Sequence, residues 1–403
     1  MSRWKKGKLI DLININTNVK LTKGKKYPFV SMDVIQPFYK PVEAKEEREF
    51  ISGGARFENG DTLFARITPC LENGKIAQVK NLRSGVGFGS TEFLVLRGKE
   101  GITDNDFVYY LSINRSFREN AERLMVGTSG RQRVDKQQFE NLVITIPDIE
   151  TQKRIASILS GIDSKIELNV KMNQTLEEMA MTLYKHRFVD FGSIQHGEFV
   201  ESELGMIPKG WQVGSLSNIA NILMGQSPKS EFYNQNGDGL PFHQGVKDFG
   251  DRFPSHVTYC TKELRVANAG EILVSVRAPV GRLNITDKKI IIGRGLAALS
   301  PKSDYYSFLL YTLKHLFAVE DQYGSGTVFN SITKKDLESL KVIIPDEKSI
   351  KEFEKKVSKY DALIAKQSKE IDLLIQARDY LLPRLLSGEI DVTKAEKEIS
   401  EVL

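Results

Sequence analysis

Two stretches of the chain carry apolar residues at alternating steps of four and three. This spacing is typical of a heptad seam rather than of the broader stripe of a helix on a globular core. Each stretch follows a short apolar strand, a proline and an aspartate that can cap a helix. We therefore predict two long helices packed through seams formed by Ile155, Leu159, Ile162, Ile166, Leu176 and Leu183, and by Phe353, Val357, Tyr360, Ile364, Ile371, Leu374 and Leu381.

The two stretches are copies of one repeat. Asp346 follows Asp148 by 198 residues, and the same spacing relates Asp361 to Asp163 without a gap. Polar residues coincide as well, because Gln367 stands where the first copy has Asn169. A buried polar layer of this kind lowers stability and fixes the register or orientation of paired helices. The chain is therefore a tandem repeat with matched helical arms.

The segment before each long helix predicts a globular unit built mainly of strands. In the first segment, short apolar runs alternate with turns rich in glycine, asparagine and lysine. Residues 104–124 predict one helix, broken or bent around residues 112–116. In the second segment, residues 270–279 resemble residues 60–69, although Arg277 stands one residue out of register with Arg66. Similar arms with diverged interiors indicate a common frame that carries two different recognition surfaces.

These patterns also set the domain boundaries. The assignments are a first domain over 1–147, a long helix over 148–188, a polar connector over 189–210, a second domain over 211–345, a long helix over 346–388 and a tail over 389–403. A helix of about 38 residues spans roughly 57 Å. At that length, two recognition surfaces placed at its ends cannot touch each other.

Composition and charge narrow the classes of function. The 403 residues are 40% hydrophobic and 27% charged, as in ordinary soluble proteins, and their net charge of +5 permits a polyanionic partner without requiring one. No apolar run approaches the roughly eighteen residues of a membrane span, and no export signal is evident. Cys70 and Cys260 are too few for a disulfide framework. We expect a reduced, cytoplasmic protein without a membrane partner.

The chain resembles the specificity subunits of type I restriction-modification systems. The resemblance covers essentially the whole chain. It rests on LGMIPKGW before the second domain, GDTLFARITPCLENGKIA and GTSGRQRV in the first, and two Ile-Pro-Asp sequences that each precede a long helix. Each motif is weak alone, but their order and twofold repetition are specific to that family.

The resemblance implies a fold and a function. The fold class is α+β, with two target-recognition domains of mixed α/β structure joined by two long helices that pack as an antiparallel coiled coil with pseudo-twofold symmetry. Each domain is expected to read one half of a bipartite site in double-stranded DNA. The coiled coil is expected to set the unread gap and to dock two methyltransferase subunits.

The resemblance also implies where the catalytic chemistry lies. The methyltransferase subunits use S-adenosylmethionine to methylate adenine, and restriction subunits that require ATP and Mg translocate and cut DNA. The specificity subunit itself is expected to be non-catalytic and to bind no cofactor of its own. In such a system it contributes sequence specificity to a defence against foreign DNA.

Candidate DNA contacts lie on glycine-flanked turns and just after apolar strands. Arginine presents a fork of donors to phosphate or to O6 and N7 of guanine. The candidates are Arg66, Lys75, Thr128, Ser129, Arg131 and Arg133 in the first domain, and Arg277, Arg282, Arg294, Ser325, Thr327 and Asn330 in the second. The alternatives are solvated turns, surface ion pairs and, for Arg294, a half-buried place beside a carboxylate.

Other chemistry has little support in the sequence. The five histidines have no Cys or His partner at ligand spacing, so no metal site is predicted. Asp33 with Glu43 and Lys45 imitates a nuclease motif, a match that arises by chance in a chain this charged. No phosphate-binding loop of the GxxxxGK[ST] type occurs. A second function class stays open, namely a non-catalytic two-headed scaffold whose globular units bind proteins rather than DNA.

Overall fold

A computed structural model describes residues 4–128, 130–194, 197–323 and 331–400. The chain divides into two compact units: unit 1 holds Met1–Leu168 and Ile371–Leu403, and unit 2 holds Asn169–Glu370. Both units combine helices with strands, so the predicted mixture of the two is confirmed.

Two helices are far longer than the others, Ile149–Phe188 and Glu347–Ser387. Both begin where an aspartate caps the backbone. Asp148 accepts a hydrogen bond from the Thr151 backbone nitrogen at 3.0 Å, and Asp346 accepts one from that of Ser349 at 3.0 Å. Each cap satisfies one of the free N–H groups of a first helical turn. We call them the first and the second long helix.

The described residues of unit 1 form two β-sheets and two further strand pairs. The five-stranded sheet has the order Ile13–Ile15, Phe93–Gly98, Thr62–Ala65, Ile76–Val79, Pro41–Val42. The four-stranded sheet has the order Glu46–Glu49, Lys26–Val30, Val86–Gly89, Ala55–Glu58. The pairs are Lys5–Lys8 with Val143–Ile146 and Met125–Val126 with Arg133–Val134.

The central strands of unit 1 are buried on both faces. Phe64 and Leu94 belong to the core that contains the helices, whereas Leu63 and Val95 belong to the core on the opposite face. Because successive side chains of a strand point to opposite faces, a strand covered on both sides is a continuous apolar run.

The shorter helices of unit 1 are Leu9–Leu12, Asn105–Ile113, Arg115–Glu122, Lys136–Glu140 and Val392–Ser400. The predicted break within residues 104–124 is confirmed at Asn114. This residue ends one helix, and its side chain accepts a hydrogen bond from the Phe117 backbone nitrogen at the start of the next. An asparagine side chain that bonds to the backbone in this way replaces a helical hydrogen bond, so the first helix ends and a second one begins.

Unit 2 repeats this frame. One sheet has the order Ala220–Met224, Leu296–Pro301, Ile272–Ser275, Leu283–Ile285, and the other Tyr233–Asn234, Tyr259–Cys260, Leu240–His243, Ile290–Ile292, Val266–Ala267. Gln212–Ser215 pairs with Lys341–Ile344. The shorter helices are Leu216–Ile219, Tyr306–Leu316 and Lys334–Ser339, with 3-10 turns at Gly192–Ile194, Ser230–Phe232 and Val246–Asp248.

The polar connector carries a β-hairpin that its sequence pattern did not predict. Phe199–Ser202 pairs with Gly205–Pro208, and the Ser202 hydroxyl donates to the Gly205 carbonyl oxygen at 2.6 Å across the turn. Ile207 is buried in the core of unit 2. Strands of four residues are too short for their alternation to stand out in sequence.

Every predicted seam residue is buried or half-buried. Ile155 and Leu159 lie in the core of unit 1, and Phe353 and Val357 in that of unit 2. Within unit 2, Asn173 donates to the Ser368 hydroxyl at 3.4 Å and Arg187 donates to the Glu352 carboxylate at 2.7 Å. The residue numbers of these partners increase along the first long helix and decrease along the second. The two helical segments of unit 2 therefore run antiparallel.

Candidate nucleic-acid interface

Three segments of unit 1 meet at Arg66, just after the strand Thr62–Ala65. The Arg66 backbone nitrogen donates to the Glu92 carbonyl oxygen at 2.9 Å, and the Val134 backbone nitrogen donates to the Arg66 carbonyl oxygen at 2.8 Å. The Arg66 guanidinium in turn donates to the Val134 carbonyl oxygen at 3.0 Å. Arg66 and Arg133, which are 67 residues apart in the chain, are thereby brought to adjacent segments.

An open cleft of about 540 Å³ lies against Arg66. Its walls are mostly polar and include a second guanidinium, that of Arg56. The Arg56 guanidinium lies 4.9 Å from the centre of the Phe50 ring and donates to the Val19 carbonyl oxygen at 3.4 Å. The residues that line the cleft are Asn16, Thr17, Asn18, Gly54, Ala55, Arg56, Arg66, Thr91 and Phe93.

The chemistry of this cleft suits a polyanion with hydrogen-bonding edges. Two arginines supply fixed positive charge, while asparagine and threonine side chains supply both donors and acceptors. Of the cleft residues, only Arg66 is among the predicted DNA contacts; Arg56 and residues 16–18 are not. The feature of the sequence that points to Arg56 is the pair of glycines before it, Gly53 and Gly54. Both adopt positive φ angles, and such a glycine pair indicates a turn.

The other candidates of unit 1 lie in different environments. The Arg133 guanidinium makes a two-pronged ion pair with Glu92, which raises the pKa of the arginine through hydrogen bonding and charge attraction. Thr128 and Arg131 are exposed on the turn before it, and Ser129 lies outside the described residues. Lys75 is half-buried and donates to the Met32 carbonyl oxygen at 2.8 Å, so its ammonium group has a structural partner.

Unit 2 places its corresponding segments by the same hydrogen bonds. The Val276 backbone nitrogen donates to the Gly295 carbonyl oxygen at 2.9 Å, and the Ile332 backbone nitrogen donates to the Val276 carbonyl oxygen at 3.1 Å. Val276 therefore occupies the position of Arg66, and Arg277 occupies that of Ile67. Successive strand residues point to opposite sides, so Arg277, which is exposed, is not a structural equivalent of Arg66.

Three loops of unit 2 converge next to Arg294. The Ser227 hydroxyl donates to the Gln244 amide oxygen at 2.7 Å and accepts a hydrogen bond from the Arg294 backbone nitrogen at 3.1 Å. Gln244 and Arg294 are exposed, and Ser227 is half-buried. Arg294 is among the predicted DNA contacts, whereas Ser227 and Gln244 are not, although glycines follow both Gln244 and Arg294 in the sequence.

The remaining candidates of unit 2 divide into two groups. Arg282 forms an exposed ion pair with Glu320 at 2.8 Å, which matches the surface-pair alternative. Ser325, Thr327 and Asn330 lie outside the described residues. Arg294, by contrast, is not buried beside a carboxylate.

A chain of two histidines and an aspartate lies beneath the Gln244 loop. His243 Nε2 lies 3.0 Å from His256 Nδ1, and His256 Nε2 lies 2.8 Å from Asp287 Oδ1. Burial, followed by repulsion from His256, lowers the pKa of His243 to about 4. Within the part of the chain that the structure describes, no group of three His, Cys, Asp or Glu residues is placed to hold a metal ion.

None of the helices among the described residues is both long and apolar enough to cross a bilayer.

Comparisons with known proteins agree with the resemblance. The sequence model of the type I restriction modification DNA specificity domain matches residues 1–178 and 208–373. A putative type I restriction enzyme MjaX specificity subunit from Methanocaldococcus jannaschii is 35% identical over 340 residues, which are 83% of this chain and 79% of that protein. The type I restriction enzyme HindI specificity subunit from Haemophilus influenzae is 26% identical, and the match covers 97% of this chain and 100% of that protein.

A solved structure shows the same fold. The crystal structure of a type I restriction-modification S subunit from M. genitalium aligns with a TM-score of 0.55 at 18% sequence identity and covers 96% of each chain. At this identity the likeness concerns the fold alone.

Proposed function

This chain belongs to the family of type I restriction enzyme specificity subunits, and from that membership we propose that each of its units reads one half of a bipartite site in double-stranded DNA. The observation that carries the proposal is the duplicated frame. Both units bring polar loops together beside the same backbone hydrogen bonds, but the side chains there differ. A shared frame with different side chains suits the reading of two unlike half-sites.

The charges at these positions support DNA rather than a neutral ligand. In unit 1, Arg56 and Arg66 line the cleft, and in unit 2 Arg277 and Arg294 are exposed close to the corresponding loops. Phosphate contacts fix the position of a protein on DNA, and contacts to base edges provide specificity. Thr128 and Arg131 remain proposed DNA contacts on an exposed turn of unit 1.

The long helices are proposed to act as an antiparallel coiled-coil spacer between the two readers. Their predicted seam is buried or half-buried throughout, which favours mutual packing over exposure. Their outer faces are proposed to dock two methyltransferase subunits, with restriction subunits joining that complex. S-adenosylmethionine, ATP and Mg are then bound by those partners, and this chain has no catalytic role.

The test is a genome-wide map of methylated adenine in cells that co-express this chain with its methyltransferase partner. We expect a split motif with a fixed unread gap that disappears when the chain is omitted. Exchange of residues 1–147 for those of another family member is expected to change only one half of the motif. A map that does not depend on this chain would contradict DNA reading.

The second candidate is a two-headed scaffold that binds proteins through the same clefts. The arginines of the unit 1 cleft are its only specific support, because they would also suit an acidic peptide. Salt dependence separates the two functions. Each phosphate neutralised on duplex DNA lowers the slope of log affinity against log salt by about 0.9, whereas a scaffold shows no specific binding to duplex DNA at any salt concentration.

A further inference from the structure

Ser227, Gln244 and Arg294 of unit 2 form a small polar cluster, in which the Ser227 hydroxyl contacts the Gln244 side chain and the Arg294 backbone. They come from three loops: one follows the strand Ala220–Met224, one follows Leu240–His243, and one joins Ile290–Ile292 to Leu296–Pro301. The Ser227 hydroxyl bridges the other two residues, since it donates to Gln244 and accepts from the backbone of Arg294. We call these three residues the unit 2 triad.

The close approach of these loops depends on glycine. A Cβ atom placed on Gly293 would lie 2.7 Å from the Gln244 amide oxygen and 2.9 Å from the Gln244 Cα atom. Real Cβ atoms do not come that close to backbone atoms, so any larger residue at position 293 would separate the Gln244 loop from the Arg294 loop. The geometry of the triad is thus built into the backbone.

The hydrogen bonds determine which groups of the triad stay available. Gln244 uses one lone pair of its amide oxygen for Ser227, and its second lone pair and its amide nitrogen have no hydrogen-bond partner among the described residues. Arg294 is exposed and forms no ion pair with another described residue, whereas Arg133 and Arg282 are each paired with a glutamate. An exposed arginine and an exposed, oriented amide therefore lie on loops that are joined through the Ser227 hydroxyl.

We infer that the unit 2 triad reads bases in the major groove, with Arg294 on a guanine and Gln244 on a neighbouring adenine. A guanidinium donates to both O6 and N7 of guanine, and a glutamine amide accepts from N6 and donates to N7 of adenine. Ser227 is a positioning residue, because it acts on the bases only by orienting Gln244. This inference rests on the proposed function and names the side chains that give it sequence specificity in unit 2.

The residues at the corresponding positions of unit 1 indicate which substitutions to test in the unit 2 triad. The Ser90 backbone nitrogen donates to the Val30 carbonyl oxygen at 3.2 Å, and the Gly293 backbone nitrogen donates to that of His243 at 2.8 Å. The residues that follow correspond, so Thr91 stands in the place of Arg294 and Ser31 in the place of Gln244. The variants Arg294→Thr and Gln244→Ser give unit 2 the residues that the same frame carries in unit 1.

The experiment uses the full chain in complex with its methyltransferase partner and maps methylated adenine for each variant. Arg294→Thr is expected to make one guanine position of the unit 2 half-site degenerate, with a tenfold to hundredfold loss of discrimination, on the order of one good base contact. Gln244→Ser is expected to do the same at one adenine position. Ser227→Ala is expected to weaken discrimination at that adenine by a smaller factor.

Two conservative variants keep the test decisive if a larger change prevents folding. Gln244→Glu preserves size but replaces a donor with an acceptor, so the adenine position is expected to shift toward cytosine, whose N4 group donates. Arg294→Lys keeps the charge but loses the fork, so the guanine preference is expected to persist in weakened form. Lys289→Ala is the control, because it removes an exposed charge at the opposite end of the strand Ile290–Ile292 and should leave the motif unchanged.

The outcomes separate the two levels of the proposal. A wild-type chain that yields no split motif would refute the proposed function itself. A wild-type split motif that stays identical in Gln244→Glu and Arg294→Thr, or that changes only in the unit 1 half, would overturn the assignment of the triad and leave DNA reading intact.

Discussion

Asp163 of unit 1 is a buried carboxylate whose charge is balanced by a buried guanidinium. Arg378 donates to it at 3.0 Å, and the Tyr110 hydroxyl donates at 2.7 Å. Burial alone would lower the pKa of Arg378, but the nearby charges of Asp163 and Asp379 outweigh that effect and raise it. The pair holds the helical segments of unit 1 together through charge as well as packing.

Asp361, the counterpart in unit 2, obtains its positive partner from a different element. Arg252, which lies in a loop of the globular domain, donates to it at 3.0 Å, and the Tyr311 hydroxyl lies at 3.5 Å. The position equivalent to Arg378 is Ala180, which is buried. The repeat thus preserves a buried carboxylate while the arginine that neutralises it has changed place.

Replacement of Arg378 by methionine is expected to destabilise unit 1 by about 3 to 5 kcal/mol, because it leaves the Asp163 charge buried without a positively charged partner. Hydrogen exchange of the helix Asn105–Ile113 measures this loss in unit 1 alone. Adding Asp163→Asn, which removes the charge but keeps an acceptor for Tyr110, should restore at least half of the stability. The control Arg384→Met breaks a surface pair with Glu389 and should cost no more than about 1 kcal/mol. Equal losses from both methionine variants would contradict the assignment.

His243 makes the stability of unit 2 depend on pH. Its pKa is lowered from 6.5 to about 4, mainly by burial, so the unfolded chain binds a proton more readily than the folded chain between these values. The contribution of His243 to the free energy of unfolding is fully present above pH 6.5. It falls as the pH drops toward 4, by about 3 kcal/mol in total.

The His243→Gln variant is expected to lose that portion of the pH dependence, since glutamine does not titrate in this range. Hydrogen exchange of the helix Tyr306–Leu316, measured between pH 4 and 7, reports the stability of unit 2. The exposed His186→Gln is the control and should keep the slope of the wild type. An unchanged slope in His243→Gln would place the titrating group elsewhere.

At the scale of elements, the long helices combine apolar seam positions with a polar layer. Asn169 and Gln367 are both buried, and neither the Asn169 amide nitrogen nor the Gln367 amide oxygen has a hydrogen-bond partner among the described residues. The Gln367 amide nitrogen faces only the Met172 sulfur at 3.5 Å. A buried polar atom without a partner costs free energy, and in helical pairs such layers fix the register.

The Gln367→Leu variant is expected to stabilise unit 2 by about 1 kcal/mol, because it removes an unsatisfied buried oxygen at similar volume. Chemical unfolding followed in unit 2 measures the gain. Lys366→Leu, on the exposed side of the same turn, is the control and should change stability by less than about 0.5 kcal/mol. A loss of stability in Gln367→Leu would show that the glutamine has a partner that offsets its burial.

At the scale of the whole molecule, two units of one design are encoded in a single chain. Each unit contains a part of both long helices: unit 1 joins two separate segments of the chain, whereas unit 2 is the continuous segment Asn169–Glu370. In unit 1, Leu382 and Leu385 of the second long helix lie in the same core as Tyr109 and Phe139. The helices are therefore part of the folding units and not merely a link between them.

If the helices act as the spacer, their length determines the unread gap of the DNA site. Seven residues inserted after Leu168 and seven after Glu370 preserve the heptad pattern and lengthen both helices by about 10 Å, roughly three base pairs of DNA. The methylation map is expected to show both half-sites unchanged and a gap longer by about three base pairs. An unchanged gap, with methylation retained, would exclude the spacer role.

The sequence by itself determined the repeat, the two long helices, their caps and the family. These features are local or periodic: a heptad pattern, an aspartate after a proline and a fixed spacing of 198 residues can be detected without knowing which segments touch. The break at Asn114 was predictable for the same reason, since a capping residue interrupts a helical pattern at its own position.

The tertiary structure alone decided which polar side chains come together and which charges stay available. Nothing local in the sequence indicates that Glu92 neutralises Arg133, that Ser227 orients Gln244, or that Arg277 faces away from the position of Arg66. These relations depend on contacts between segments far apart in the chain and on the alternation of side chains along a strand, where a shift of one residue reverses the face. A candidate arginine becomes a site residue only when the fold leaves its guanidinium without a neighbouring carboxylate.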